Sequence, residues 1–178
     1  MTRDGGLRET TLEGLAQLKT NTPDGVHTAG SSSQITDGAG AVLLMTRERA
    51  QELGATPMAT IVDTCLVGCD PVLMLEGPIP ATERLLKDTG LTMKDIGVCE
   101  INEAFASVVL AWAKELQPDM DTVNPNGGAI ALGHPLGGTG SILLTKAVHE
   151  LQRSGKEHAL VSMCCGGGIG TGTIIRRA

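Results

Sequence analysis

The chain has 178 residues, of which 41% are hydrophobic and 19% charged, and its formal net charge is −6 at pH 7. This length and composition indicate a soluble globular protein with a core of its own. One Phe, one Trp and no Tyr leave few rings for stacking on bases, and the acidic balance argues against a polyanionic surface as a ligand. We therefore expect neither a nucleic-acid partner nor a membrane partner.

The amino-terminal part of the sequence has few periodic apolar segments. A short helical pattern runs from Leu12 to Leu18 between loops that contain glycine and proline. A small, polar stretch then ends in the apolar run from Ala41 to Met45, which is typical of a buried strand. The charged segment 47–54 predicts a short helix that Gly54 ends.

From residue 58 onward, predicted strands and helices alternate. The predicted strands are at 59–68, 96–101, 158–164 and 169–177. Between the first two strands, a helix begins at Pro80 and ends at Gly90. Two helices follow the strand at 96–101: the first has an apolar face of Phe105, Val108, Val109, Trp112, Ala113 and Leu116, and the second has Leu144, Val148 and Leu151 on one stripe and ends at Gly155. This alternation predicts an α/β sheet covered by helices on at least one face.

Three polar side chains lie where predicted strands or loops turn toward helices. Asn102 follows the strand 96–101, His134 lies in a glycine-rich loop before a helix, and Cys164 ends the strand 158–164. Because ligands gather at the carboxyl ends of strands in open α/β sheets, these side chains could share one site.

Each of these residues also has a purely structural interpretation. Asn102 can be a helix N-cap, and His134 can hydrogen-bond a turn, with Pro135 suited to the first helical position. Cys165 can be a small buried apolar residue, and a disulfide with the adjacent Cys164 would be strained. Cys164 is the better candidate for chemistry, since the glycines that follow it can offer N–H groups to an anion.

Two other kinds of site are disfavoured. The glycine stretches lack the Lys-Ser/Thr of a nucleotide-binding P-loop, and none opens a helix after a strand as the dinucleotide fingerprint requires. Cys65 and Cys69 are four apart, but no second pair or nearby histidine completes a zinc site, so we expect no bound metal. The odd number of cysteines and the lack of a signal peptide favour a reduced, cytoplasmic protein.

The order and spacing of several motifs closely resemble those of the carboxyl-terminal half of thiolases, the acyl-CoA acetyltransferases. These motifs are NEAF at 102–105, NPNGGAIALGHPLGGTG at 124–140 and CCG at 164–166. The segment TAGSSSQITDGAGAVLLM at 28–45 is similar to the thiolase segment that closes the amino-terminal domain and touches coenzyme A. The resemblance covers almost the whole chain.

The resemblance implies a role for each candidate residue. Cys164 would be the second cysteine of the family, which acts as acid and base. His134 would activate the nucleophile and help to bind a thioester oxygen, and Asn102 would hold a water that completes this first oxyanion site. The N–H of Gly166 would contribute to a second oxyanion hole, and Ser33 would contact the pantetheine arm of coenzyme A, which is a substrate and not a permanently bound cofactor.

The resemblance also implies a thiolase-like α/β fold and a division of the chain. Residues 1–27 would be a remnant of the loop domain, 28–50 the last segment of the amino-terminal domain, and 51–178 the carboxyl-terminal domain with a mixed sheet covered by helices.

The nucleophilic cysteine of the family belongs to an amino-terminal half that this sequence does not contain. Cys65, Cys69 and Cys99 fall in no matching motif and in positions predicted to be strand. We therefore expect a companion chain to supply the nucleophile, in a hetero-oligomer built on a thiolase dimer that cleaves 3-ketoacyl-CoA or runs the reverse condensation. The methionine that begins the sequence favours a natural subunit over a fragment.

Two alternatives to this function are also compatible with the sequence. One is a non-catalytic acyl-CoA-binding or assembly module of thiolase fold, and the other, weaker one is a stand-alone Cys/His hydrolase. The retention of Asn102, His134 and Cys164 together argues against a mere scaffold.

Overall fold

The computed structural model describes residues 2 and 4–178. The helices are α1 (Leu12–Ala16), α2 (Arg47–Glu52), α3 (Pro78–Thr89), α4 (Ala106–Leu116), α5 (Ala129–Leu132) and α6 (Thr139–Ser154), and the strands are β1 (Ala59–Gly68), β2 (Ile96–Ile101), β3 (His158–Cys165) and β4 (Ile169–Arg177). Single 3-10 turns precede the extended segment after Ser31, strand β2, and the loop at Val123.

The four strands form one mixed sheet in the order β1-β4-β3-β2. β2 and β3 are parallel, whereas β4 is antiparallel to both β3 and β1. The chain passes from β2 to β3 through α4, α5 and α6, which is the long crossover that a parallel pair needs. The predicted α/β fold with a mixed sheet is confirmed.

Helices cover both faces of the sheet, and each face has its own apolar core. On one face α3 and α4 pack over the sheet, with Leu85 and Trp112 fully buried. On the other face α6 packs over β2 and β3 through Leu143, Ala147 and Leu151. Alternate residues of β3 enter the two cores, as the pleat of a strand requires.

The sequence predictions for the elements hold with small shifts in the carboxyl-terminal part. α3 begins at Pro78 and not at Pro80, and Phe105 precedes α4 as its N-cap residue. In α6 the deepest stripe contains Leu143 beside the predicted Leu151, and α5 lies inside the predicted glycine-rich loop.

Two predictions of strand are wrong. The run from Ala41 to Met45 forms no strand, and Leu43 is 83% exposed, because no described segment lies beside it to supply a hydrogen-bonding partner. Cys69 lies just past the end of β1 and is half-buried, with its thiol donating to the carbonyl of Met74 at 3.4 Å. Cys65 and Cys99 are in strands and buried, as predicted.

No helix in the part of the chain that the structure describes has both the length and the apolar character to cross a membrane.

Candidate functional site

The end of β2 and the end of β3 lie at the same edge of the sheet. Because the two strands are parallel and Ile101 pairs with Ser162, Asn102 emerges one residue past β2 beside the strand that carries Cys164. The N–H of Asn102 donates to the carbonyl of Ser162 at 3.0 Å, so the residue is held to β3 although it lies outside the ladder. Asn102 is buried, with 1% of its surface exposed.

His134 reaches this edge from the crossover. Helix α5 ends at Leu132, and Gly133 turns the backbone so that His134 points back toward the end of β2. Nε2 of His134 lies 3.3 Å from Nδ2 of Asn102. The interpretation of Asn102 as a helix N-cap is wrong, since Phe105 occupies that position of α4 and the Asn102 side chain faces His134 instead.

Pro135 does not occupy the first helical position. Helix α6 begins at Thr139, and the carbonyl of Pro135 accepts hydrogen bonds from the N–H groups of Gly138 and Thr139 at 2.8 and 2.9 Å. Pro135 therefore starts a tight turn before the helix, which fixes the backbone on the carboxyl side of His134.

The hydrogen bonds on the other side of the ring define which nitrogen of His134 carries the proton. Nδ1 lies 2.7 Å from Oγ1 of Thr139, and that hydroxyl donates to the carbonyl of Pro135 at 2.8 Å. Because a hydroxyl has one hydrogen to donate, Oγ1 accepts from Nδ1–H. His134 is then the Nδ1–H tautomer, and the lone pair of Nε2 faces the amide of Asn102.

Burial keeps the imidazole neutral. His134 is half-buried, and desolvation holds its pKa below the ordinary value for histidine. A neutral ring with an unprotonated Nε2 has the form that a general base needs.

Cys164 occupies the same edge, but its thiol is protonated. It is the next-to-last residue of β3 and is buried, with its backbone paired to Gly170 of β4. Burial raises the pKa of the Cys164 thiol. No hydrogen bond joins Cys164 to Asn102 or His134 within residues 2 and 4–178, so the structure brings these residues to one edge and joins only Asn102 and His134 directly.

The residues that follow Cys164 form a tight connection between β3 and β4. Cys165 ends β3 and is half-buried, and the next residue, Gly166, is exposed.

Ser33 lies beside the site through its backbone. Its N–H donates to the carbonyl of Ala104 at 3.0 Å, and the carbonyl of the next residue, Gln34, accepts from the N–H of His134 at 3.1 Å. The segment around Ser33 thus joins the turn after Asn102 to the residue that presents the imidazole. The Ser33 side chain itself is half-buried.

The sequence interpretation missed three residues that support this pair. Thr139 fixes the tautomer of His134, while Asn124 and Glu103 join the turn after β2 to the glycine-rich loop. The Asn124 side chain accepts from the N–H of Ile101 and donates to its carbonyl, each at 2.9 Å, as a neighbouring strand would. All three lie inside the motifs quoted above, but only the fold shows which groups they meet.

Among residues 2 and 4–178 no group of three or more His, Cys, Asp or Glu side chains is arranged to hold a metal ion. What the site offers is a neutral imidazole, a buried amide, a protonated thiol and a turn of glycine N–H groups. These are the parts of acyl-transfer chemistry, which needs a base, a proton donor and hydrogen bonds to a developing oxyanion.

Two family models match most of the chain. Residues 55–177 match the family model described as the thiolase C-terminal domain, and residues 1–48 match that of the thiolase N-terminal domain. The steroid 3-ketoacyl-CoA thiolase FadA6 of Mycobacterium tuberculosis is 51% identical over 174 residues, which are 98% of this chain and 43% of that protein. The mitochondrial 3-ketoacyl-CoA thiolase of Homo sapiens is 47% identical over 169 residues, which are 94% of this chain and 43% of that protein.

A solved structure extends the likeness to the backbone. The crystal structure of human mitochondrial 3-ketoacyl-CoA thiolase in complex with CoA superposes with a TM-score of 0.96 at 46% sequence identity, covering 100% of this chain and 46% of that one. The chain thus spans less than half the length of the relatives it matches. On these matches the chain belongs to the thiolase family.

Proposed function

We propose that this chain is the carboxyl-terminal part of a thiolase that cleaves 3-ketoacyl-CoA with coenzyme A, or runs the reverse condensation, and that a separate chain supplies the nucleophilic cysteine. The proposal includes the division into a loop-domain remnant at 1–27, the end of the amino-terminal domain at 28–50, and the carboxyl-terminal domain at 51–178. It also includes a cytoplasmic location, which the odd cysteine count favours.

The hydrogen bond between Asn102 and His134 is the observation that carries the proposal. The lone pair of Nε2 on a neutral His134 can take the proton of an incoming thiol and so make it a thiolate. Oδ1 of Asn102 is buried and accepts no hydrogen bond from any described residue, which makes it able to hold a water. That water and the Nε2–H that His134 gains by taking this proton would together bind the thioester oxygen.

The raised pKa of Cys164 supports its role as a proton donor and acceptor. When the carbon–carbon bond of a 3-ketoacyl thioester breaks, the released enolate carbon must take a proton, and a protonated thiol can give it. The resulting thiolate can then take the proton of coenzyme A as that thiol attacks the acyl-enzyme. The N–H of Gly166 would stabilise the enolate oxygen during the first of these steps.

Ser33 supports the binding of the pantetheine arm. Its backbone is fixed to the turn after Asn102, and its neighbour Gln34 is fixed to His134, so a group held at Ser33 would lie next to the reacting residues. Coenzyme A is in this proposal a substrate, as it is the ligand in the structure of the human relative.

The exposed apolar segment from Val42 to Met45 supports a companion chain. The side chains of Leu43 and Leu44 are 83% and 65% exposed, and the backbone there has no strand partner in the described residues. A contiguous apolar run of this kind marks a surface that another segment covers. The family model for the amino-terminal domain ends at residue 48, so the missing cover fits the rest of that domain.

The proposal is tested by assembly followed by kinetics. The chain is co-expressed with the amino-terminal half of a 3-ketoacyl-CoA thiolase, native mass establishes whether a complex forms, and the loss of acetoacetyl-CoA on addition of coenzyme A gives the rate. In the complex we expect His134→Asn and Cys164→Ser each to lower kcat by about 100-fold or more, because each removes a group that moves a proton.

Two variants serve as controls for these substitutions. His149→Asn changes an exposed histidine of α6, and Cys165→Ser changes the neighbouring cysteine, so both should leave kcat close to that of the unchanged complex. Thiolysis that persists in His134→Asn and Cys164→Ser would contradict the assignment. A complex that binds coenzyme A and has no thiolysis would instead identify an acyl-CoA-binding or assembly module.

A further inference from the structure

The carboxylate of Glu103, which the proposed mechanism does not use, extends from the turn after β2 to the connection between β2 and β3 that contains α5. Glu103 directly follows Asn102 in the chain. Its Oε2 accepts from the N–H of Ile130 at 3.2 Å, and its Oε1 accepts from Nδ2 of Asn124 at 3.0 Å. One side chain therefore connects the segment that carries Asn102 with the segment that leads to His134.

The first of these hydrogen bonds caps α5. The N-cap residue of α5 is Gly128, which makes no side-chain cap, so the N–H groups of the first turn need an acceptor from elsewhere. Glu103 supplies it to Ile130, the second residue of the helix. A Cβ at position 128 would overlap the Glu103 carboxylate, and only glycine there leaves room for this approach.

The orientation of α5 decides where the imidazole of His134 lies. The helix is a single turn from Ala129 to Leu132, and His134 follows after one glycine. A helix this short has little stability of its own and depends on tertiary contacts and caps. Its cap therefore also fixes the distance between Nε2 of His134 and the amide of Asn102.

We propose that Glu103 is a positioning residue whose carboxylate, by capping α5, holds Nε2 of His134 against the side chain of Asn102. The geometry stands without any assumption about turnover, whereas its importance for catalysis rests on the proposed function. Glu103 touches neither the imidazole nor a reacting atom in this arrangement, and it acts through the backbone of α5.

The test measures the His134 ring by NMR in the 178-residue chain. In the unchanged chain we expect ¹⁵N shifts of the Nδ1–H tautomer, with His134→Asn identifying the signals. In Glu103→Gln the amide oxygen cannot accept from both Ile130 and Asn124, so the cap no longer holds Nε2 of His134 against the amide of Asn102. The population ratio of the Nε2–H tautomer to the Nδ1–H tautomer should then rise by about tenfold, the equivalent of one lost hydrogen bond.

A matched control separates positioning from the general cost of removing a buried carboxylate. Glu150 is buried on α6 and accepts from Nδ2 of Asn126 in the same glycine-rich loop, and its other carboxylate partner is Arg153 and not α5. Glu150→Gln should therefore leave the tautomer ratio of His134 unchanged. Equal shifts in both variants, or no shift in a folded Glu103→Gln, would overturn the proposal.

A double-mutant cycle tests the cap itself. Gly128→Ala should reproduce the tautomer shift of Glu103→Gln, because the added methyl group would displace the carboxylate. In a Glu103→Ala background there is no carboxylate to displace, so Gly128→Ala should add no further shift. Additive effects would show that Gly128 and Glu103 act separately and would contradict the proposal.

The unchanged chain gives a readout that depends on the folding of no variant. If Glu103 caps α5, the amide of Ile130 should exchange with solvent at least about tenfold more slowly than an unprotected amide in the same sequence. Unprotected exchange at Ile130 would mean that the cap is not formed, and the proposal would fail whatever the variants do.

Discussion

At the residue scale, Thr139 determines which nitrogen of His134 carries the proton, although it contacts Nδ1 and not the Nε2 that faces Asn102. Thr139 uses its single hydroxyl hydrogen on the carbonyl of Pro135, so it can only accept from Nδ1. The lone pair on Nε2 is the consequence. A hydroxyl five residues along the chain thus sets which nitrogen can act as the base.

Replacing Thr139 with valine should remove this control with little change of shape. Thr139→Val leaves Nδ1–H without its acceptor, and we expect the Nε2–H tautomer to gain population at the expense of Nδ1–H. The unpaired, partly buried donor should also lower the free energy of unfolding by about 1–3 kcal/mol. Ring ¹⁵N shifts measure the tautomer and urea denaturation the stability, with Thr145→Val on the exposed side of α6 as the control.

That prediction would be contradicted by a Thr139→Val chain in which His134 keeps the Nδ1–H tautomer. Some other acceptor would then have to hold Nδ1, and Thr139 would be a packing residue only.

At the scale of elements, the site depends on a single residue between α5 and the turn that starts α6. Gly133 has φ of +92° and ψ of +167°, a region of backbone conformation that is open in practice to glycine alone. A Cβ at this position would also overlap the side chain of Thr36, in the extended segment that crosses the site. Gly133 therefore joins three elements: α5, the turn at Pro135 and the segment 32–40.

Gly133→Ala should be strongly destabilising for both reasons. We expect the free energy of unfolding to fall by about 2 kcal/mol or more, from backbone strain together with the overlap at Thr36. The control is Gly137→Ala in the same loop, where a Cβ would meet no atom within 4 Å and φ is not positive, and which should change stability by less than about 0.5 kcal/mol. Urea denaturation of the two variants gives the comparison, and equal stabilities would contradict the account of Gly133.

At the scale of the whole molecule, the sequence predicts the carboxyl-terminal part far better than the rest. β2, β3 and β4 carry apolar residues that periodicity identifies, and Gly90 and Gly155 end α3 and α6 as helix C-caps. The run from Ala41 to Met45 has the same apolar signal and is no strand, because no segment of the described residues pairs with it. Periodicity reports which segments can pair and not whether a partner is present.

The candidate site shows the same limit at closer range. Asn102, His134 and Cys164 could be named because they stand at predicted strand ends or beside glycine. The sequence could not predict the hydrogen bond between Asn102 and His134 or the contacts of Glu103, because these join residues far apart in the chain. It could not predict the role of Thr139 either, because that role depends on where one hydroxyl hydrogen points. The cap interpretation of Asn102 failed because the turn after β2 extends to Phe105 before α4 begins.

Buried thiols should make the stability of the whole fold sensitive to alkaline pH. Burial in β2 raises the pKa of Cys99 from its ordinary value of 9.0 to about 12. Above pH 9 the unfolded chain therefore loses this proton while the folded chain keeps it. Because the folded state then binds more protons, the free energy of unfolding falls as pH rises, by about 1.4 kcal/mol per pH unit for this one group. Cys99→Ala lowers the free energy of unfolding at every pH through lost packing, but it removes this pH dependence. Urea denaturation under reducing conditions should therefore show that, between pH 8 and pH 10, the free energy of unfolding falls by about 1.4 kcal/mol more in the unchanged chain than in Cys99→Ala. Parallel losses in the two chains would mean that the Cys99 thiol ionises in the folded state as readily as in the unfolded one, which its complete burial against Leu160 and Trp112 should prevent.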